Sequence, residues 1–175
     1  MIVCGKLCYF VSLNDLNPSM SNFLGEYEVT LDSKGRFMLP VGYKRQLGEA
    51  EGTRYILSRG FEKCLTLYTE GQWEKVASVV RRLNEFSAKA RNFKRVFLNG
   101  ATFIEPDAAG RILISKSMIE HAGLSKDIVF SAQMDKVELW DAETFRKEMS
   151  MSAEDLSDLA NEVLGSDFLN PLDGQ

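Results

Sequence analysis

The sequence predicts an α+β, β-rich protein built from two copies of one small module with flanking helices. Three observations carry this expectation. Asp32-Ser33-Lys34-Gly35-Arg36-Phe37-Met38-Leu39 recurs as Asp107-Ala108-Ala109-Gly110-Arg111-Ile112-Leu113-Ile114, 75 residues later. Short stretches beside each copy alternate apolar and polar residues, the period of a half-buried strand. Longer stretches carry apolar residues at three- and four-residue spacing, the period of a helix with one apolar face.

Each copy reads as strand, turn, strand, short helix, strand, strand, helix. In the first, Tyr27, Val29 and Leu31 alternate with Glu26, Glu28 and Thr30. The turn Asp32–Gly35 interrupts them, and Phe37–Leu39 is an apolar strand. Pro40 suits the first turn of a helix over Val41–Leu47, and Gly48 suits its end. Arg54–Leu57 and Leu65–Tyr68 are further strands. Trp73, Val76, Ala77 and Val80 then line one face of a helix. In the second copy, Thr102–Glu105 and Ile112–Ile114 flank the turn. Ser115 is an N-cap candidate and Gly123 a C-terminal one. Ile128–Phe130 and Lys136–Trp140 are strands, and Asp141 caps a helix to about Met149. Leu65-Thr66-Leu67-Tyr68 matches Val137-Glu138-Leu139-Trp140 at an offset of 72, as Trp73 matches Phe145. Between these blocks, Tyr55-Ile56-Leu57 aligns with Phe130-Ser131-Ala132, or one residue earlier with Val129-Phe130-Ser131.

These patterns divide the chain into an N-terminal extension (1–22), module 1 (23–73), a basic helical linker (74–98), module 2 (99–145) and an acidic C-terminal helix and tail (146–175). The extension reads as flexible, with Met20 an alternative start. Arg81–Arg95 reads as helical and strongly basic. Ser152-Ala153-Glu154-Asp155 resembles a capping box ahead of Leu156, Leu159, Ala160 and Val163, with a disordered remainder.

Composition narrows the function classes. At 45% hydrophobic and 26% charged, the 175 residues are those of an ordinary globular chain. The apolar stretch Leu7–Leu13 is far shorter than the roughly 18 residues that cross a bilayer. An odd set of three cysteines, Cys4, Cys8 and Cys64, reads as reduced thiols in a cytosol rather than a disulfide framework. Cys4 and Cys8 have no second pair to complete a tetrahedral metal site, and a lone His121 supplies neither a ligand set nor a triad. No cofactor, metal or small-molecule substrate is expected, nor enzymatic activity. The net charge of −4 hides an asymmetry: residues 24–95 hold 14 basic against 9 acidic residues, whereas residues 154–175 hold 6 acidic and no basic ones. A basic half beside an acidic tail is a hint of a polyanionic partner.

The repeated Asp-x-x-Gly-Arg turn carries the chemistry. Gly35 and Gly110 can take positive φ at no steric cost. Asp32 and Asp107 offer a short acceptor to backbone N–H groups further on, so these four residues structure the loops. Arg36 and Arg111 follow the glycine and can either pair with the Asp or project. Arg111 reads as part of such a staple, and Lys34 and Arg36 as facing solvent. Copy two has Ala109 in place of Lys34, leaving it one positive charge where copy one has two. A nucleotide-binding reading of Asp-x-x-Gly fails because the one Gly-Lys pair, Gly5-Lys6, belongs to no phosphate loop. A duplicated acid–base pair fails because an Arg four residues on would hold each carboxylate ionised.

From Phe23-Leu24-Gly25-Glu26-Tyr27 through Leu31-Asp32-Ser33-Lys34-Gly35-Arg36 to Leu39-Pro40, the chain closely resembles the opening of MraZ-family proteins. Asp107–Arg111, His121-Ala122-Gly123-Leu124 and Glu138-Leu139-Trp140-Asp141 resemble the family's second half, and the likeness spans about residues 23–149. It implies tandem swapped-hairpin β-barrel modules of the SpoVT/AbrB type, joined in one chain as a pseudo-twofold unit. It implies a homo-oligomeric closed ring that binds direct repeats in double-stranded promoter DNA. There it would regulate its own cell-division and cell-wall operon, chiefly by repression, in the cytoplasm at the nucleoid. Carried over by position, the DNA-contacting residues would be Lys34 and Arg36, with Arg111 in copy two. Residues before Phe23 are extra, and Leu24 stands where some members carry a basic residue. The alternatives left open are a non-enzymatic ring scaffold binding an acidic partner and an antitoxin-like module binding a protein.

Overall fold

Alternation of side chains produces the first strand as expected. β1 (Phe23–Thr30) turns Tyr27 and Val29 inward and leaves Glu26, Glu28 and Thr30 exposed. The computed structural model describes residues 23–47 and 54–164. After β1 come β2 (Arg36–Met38), α1 (Val41–Gln46), β3 (Tyr55–Arg59), β4 (Cys64–Thr69), α2 (Glu70–Arg81) and α3 (Ala88–Asn99). The second copy follows as β5 (Thr102–Ile104), β6 (Arg111–Leu113), α4 (Lys116–Ala122), β7 (Asp127–Met134), β8 (Lys136–Asp141) and α5 (Ala142–Glu148), with α6 (Ala153–Leu164) last. The expectations for residues 1–22, for Cys4 and Cys8, for Gly48 and for the tail beyond residue 164 fall outside the described residues.

The strands make an antiparallel six-stranded sheet in the order β1-β7-β8-β4-β3-β5 and a two-stranded ribbon of β2 and β6. The copies interleave. β1 of the first copy pairs with β7 of the second, while β5 of the second pairs with β3 of the first. The registers correspond: Val29 faces Ile128, and Ile104, its counterpart 75 residues on, faces Tyr55.

That correspondence corrects the alignment of the third strand. Tyr55 lies opposite Thr69, and Ile128 lies opposite Asp141, where Thr69 and Asp141 cap α2 and α5. Tyr55-Ile56-Leu57 therefore matches Ile128-Val129-Phe130, an offset of 73. Neither register expected from sequence holds, because the offset between the copies falls from 75 at the turns to 73 at this strand, and only strand pairing locates the change.

Helix ends need three further corrections. The basic stretch Arg81–Arg95 is not one helix. Asn84 accepts from the Phe86 N–H, and Ser87 caps α3 by accepting from the Ala90 N–H, so short polar side chains divert the backbone between α2 and α3. Ser115 precedes α4 without capping it; its hydroxyl meets the Ser117 hydroxyl at 3.2 Å. Ser152 accepts from the Asp155 N–H, but its hydroxyl bonds the Asp155 carboxylate, so the capping box is only half formed. Gly123 ends α4 at φ 61°, as its type predicts.

The main core lies on one face of the sheet, under α1, α4 and the ribbon. It gathers Phe23, Phe37, Tyr43, Leu57, Leu67 and Phe130, with Ile112, Leu139 and others. A smaller cluster on the opposite face holds Cys64, Val129, Trp140, Ala142 and Phe145 under α5. Burial pushes the Cys64 thiol up to about 11, so it is protonated and unreactive near neutrality. Among the described residues no helix is long and apolar enough to cross a membrane.

Candidate nucleic-acid interface

The two Asp-x-x-Gly-Arg turns fold alike. Gly35 and Gly110 both take φ 77°, where a side chain would be strained. The Gly35 N–H bonds the Asp32 carbonyl at 2.9 Å, and the Gly110 N–H bonds the Asp107 carbonyl at 2.7 Å. Asp32 Oδ1 accepts the N–H groups of Lys34 and Arg36 at 2.9 and 3.0 Å, and Asp107 Oδ1 those of Ala109 and Arg111 at the same distances. Each turn is thus closed by hydrogen bonds to its own Asp.

One arginine departs from expectation. Arg36 does not project freely from the turn. Its Nε donates to Asp32 Oδ2 at 2.7 Å and its terminal nitrogen lies 2.6 Å from the same oxygen. Arg111 holds Asp107 in the same way at 2.9 and 2.7 Å. Arg36 is the more enclosed, with a side chain 25% exposed against 37%. The pairing follows from register: each Asp amide bonds the carbonyl of its own Arg at 2.8 Å, bringing carboxylate and guanidinium to one side of the turn. An Arg bound through Nε and one edge still has N–H donors on its outer edge.

The Arg hydrogen bond, ahead of the backbone bonds, pulls both Asp32 and Asp107 down to about 2 from 3.8. With folded values below the unfolded one, this stabilisation is complete above about 3.8 and is lost as pH falls through about 2. Carboxyl-carbon NMR titration should therefore give midpoints near 2 for both residues. Midpoints near 3.8 would show that the staples do not persist in solution.

The ribbon sets where these turns point. Arg36 pairs with Leu113 across it and Met38 with Arg111, while Phe37 and Ile112 between them are buried. Side chains alternate along a strand, so the outer face carries Arg36, Met38, Leu113 and Arg111, with the two arginines on a diagonal. Met38 and Leu113 are exposed large apolar residues. They carried no sequence signal, since an apolar residue in a predicted strand reads as core.

The tertiary fold also supplies a cation that sequence reading missed. A Cβ at Gly110 would meet the Lys44 ammonium at 3.0 Å, so Lys44 from α1 sits against the second turn. The first turn meets Ile119 at the equivalent place. Each turn therefore carries two positive side chains: Lys34 and Arg36 in the first, and Arg111 in the second with Lys44 against its Gly110. The expected imbalance between the copies is removed by a residue 66 positions away in the chain. Among the described residues there is no group of three or more His, Cys, Asp or Glu that could hold a metal ion.

The family model described as "MraZ protein, putative antitoxin-like" matches this chain twice in succession, over residues 22–96 and 97–166. The chain belongs to the MraZ family. Curated MraZ relatives agree. A protein named Transcriptional regulator MraZ from Cytophaga hutchinsonii is 38% identical over 145 residues, covering 83% of this chain and 96% of the relative. Proteins of the same name from Flavobacterium psychrophilum and Christiangramia forsetii are 38% and 37% identical, covering 84% and 85% of this chain and 94% and 96% of theirs. The solution structure of PHS018 from Pyrococcus horikoshii is 12% identical, covers 66% of this chain and 86% of that one, and superposes with a TM-score of 0.27, too low to carry an argument. The two successive MraZ matches divide the chain at residues 96 and 97, within α3 and close to the boundary of the sequence repeat.

Proposed function

We propose that this MraZ-family chain is a sequence-specific, DNA-binding regulator of transcription. The observation that carries this reading is the exposed ribbon with a positive turn at each end. A two-stranded ribbon fits the width of the major groove, and an arginine fork matches the O6 and N7 acceptors of guanine. In this reading Arg36 and Arg111 meet base edges or phosphates through their outer N–H groups. Asp32 and Asp107 hold them in place, so little side-chain freedom is lost on binding. Lys34 and Lys44 act as charges toward phosphate. Met38 and Leu113 offer apolar contact to thymine methyl groups.

The crossed pairings β1–β7 and β5–β3, with their matched registers, support reading the copies as swapped-hairpin modules around a pseudo-twofold axis, within the module boundaries 23–73 and 99–145. One ribbon makes few contacts. A closed ring of copies presenting ribbons along one duplex would multiply them through effective concentration, which suits direct repeats in a promoter. The relatives' shared name points to transcription. The family resemblance points to the protein's own cell-division and cell-wall operon as target, to repression as the effect, and to the nucleoid as the place.

Binding to a labelled fragment of its own upstream promoter, with excess competitor DNA and varied salt, tests the proposal. A selective complex whose affinity falls steeply with salt is expected. Binding that is steep in salt yet indifferent to sequence would replace the regulator with a scaffold that uses its basic face for any acidic partner.

A further inference from the structure

The face of the sheet turned away from the ribbon holds a row of polar side chains that DNA binding does not use. Thr66 on β4 lies opposite Ser58 on β3 and opposite Glu138 on β8. Side chains alternate along a strand, so these three point away from Leu65, Leu67 and the main core. Ser58 and Thr66 are 1% and 5% exposed, and the Ser58 hydroxyl has no hydrogen-bond partner among the described residues. Buried hydroxyls cost stability unless something polar meets them.

Over this row lies a cavity of about 160 Å³, lined by Thr66, Tyr68 and Glu138 and by the rings of Phe61 and Phe97. Cavities of about 150 Å³ accept a benzene ring. The Glu138 carboxylate is already satisfied: Lys136, Trp140 and Gln133 donate to it at 2.7, 2.9 and 3.1 Å.

Arg59 at the end of β3 is not satisfied. It lines this cavity and an adjoining apolar one of about 250 Å³. Its Nε is buried without a partner, and its guanidinium makes no ion pair among the described residues. Glu62, the other carboxylate at the cavity, is exposed on the β3–β4 hairpin and does not pair with it. Gly100 at the end of α3 leaves room for the Arg59 stem, since a Cβ there would meet Arg59 Cγ at 2.8 Å. A guanidinium drawn partly out of water with its donors unused is costly, and an anion would relieve that cost. Beside it Phe61 stacks on Phe97 at 6.1 Å yet stays 85% exposed, and the adjoining cavity continues along Phe93 and Val96.

We propose that these adjoining cavities bind a small organic anion, a carboxylate carried on a planar ring. The carboxylate meets the Arg59 guanidinium, whose planar fork matches its two oxygens. The ring lies against Phe61 and Phe97. The Thr66 and Tyr68 hydroxyls face a polar substituent on that ring. The inference goes beyond the DNA-binding reading and does not rest on it, because cavity and ribbon lie on opposite faces of the sheet.

Both tryptophans report on the site. Trp73 stacks on Phe97 at 5.8 Å, and Trp140 donates to Glu138. Titrating the full chain with benzoate should change tryptophan fluorescence saturably, with half-saturation at roughly 1 mM or below. Acetate and benzyl alcohol each keep one feature of benzoate and should bind about 10-fold more weakly or worse. Arg59→Met should weaken benzoate by a similar factor yet leave Tm unchanged or raised, because it removes a buried donor that has no partner. Phe61→Ser, at an exposed position, should weaken benzoate several-fold in a folded chain. Benzoate that fails to saturate by roughly 10 mM would overturn the proposal. Benzyl alcohol binding as well as benzoate, or an affinity that both variants leave intact, would do the same. Marked destabilisation by Arg59→Met would make Arg59 a structural residue and also overturn it. Any of these results would leave the DNA-binding reading standing.

Discussion

Replacing Phe130 with alanine should lower stability by about 3–5 kcal/mol, the usual cost of emptying a buried aromatic site. Phe130 is fully buried on β7, between β1 and β8, and faces Tyr27 and Leu139. Its ring lies 4.8 Å from Tyr43 of α1, 6.0 Å from Tyr27 and 6.3 Å from Phe37 of the ribbon. All three partners belong to the first copy, so this second-copy side chain is a joint between the two. For a chain of this length the loss corresponds to a fall in Tm of roughly 6–20 °C. Thermal unfolding followed by circular dichroism reads it. A shift under about 2 °C would mean that the interleaving of copies does not hold the core together. The matching position in the first copy is Leu57, also buried but opposite Thr102 at the strand β5, only three residues long. The second-copy joint is therefore the stronger one.

Arg36→Ala should weaken selective promoter binding by about 1–3 kcal/mol for each engaged copy, roughly 5- to 150-fold, if the guanidinium reads a base. In a ring the losses compound, so selective binding should fall below detection while weak, salt-sensitive binding remains. Unchanged affinity would reduce Arg36 to a staple. Asp32→Asn separates the two roles of the turn. It removes a negative charge, and simple electrostatics would then tighten DNA binding. The geometry predicts the opposite for selective binding. Without the carboxylate the pair to Arg36 is lost, and restoring the fork on DNA costs an ordering penalty of about 0.5–1.5 kcal/mol, roughly 2- to 10-fold. Titrations of specific and random duplexes should therefore diverge, the specific one weakening and the random one holding or tightening. Tighter specific binding would show that Asp32 does not position Arg36.

How much of this was legible in the sequence follows from the range over which each signal acts. Strand alternation in β1, the caps Asp141 and Thr69, the glycines of both turns and the Asp acceptors are decided by residues within four positions of one another, and they were read or readable from the string. The extension of β7 to Met134 was not. Its hairpin turns at Met134 and Asp135 with Met134 at φ 57°, a conformation that normally calls for glycine, so no turn residue announced it. Nor could spacing alone show that Arg36 would be tied to Asp32 as tightly as Arg111 is to Asp107.

Two local codes were complete in the sequence: the duplicated module, and the Asp-x-x-Gly-Arg turn whose hydrogen bonds close within five residues. Those determined the element types and most of the candidate site. Only the tertiary structure decided which copy's strands pair, which apolar residues of the ribbon face out, and that Lys44 stands beside Gly110. The physical reason is that strand partnering is chosen by burial of the whole sheet face, a sum over residues far apart in the chain, whereas a turn is chosen by its own backbone.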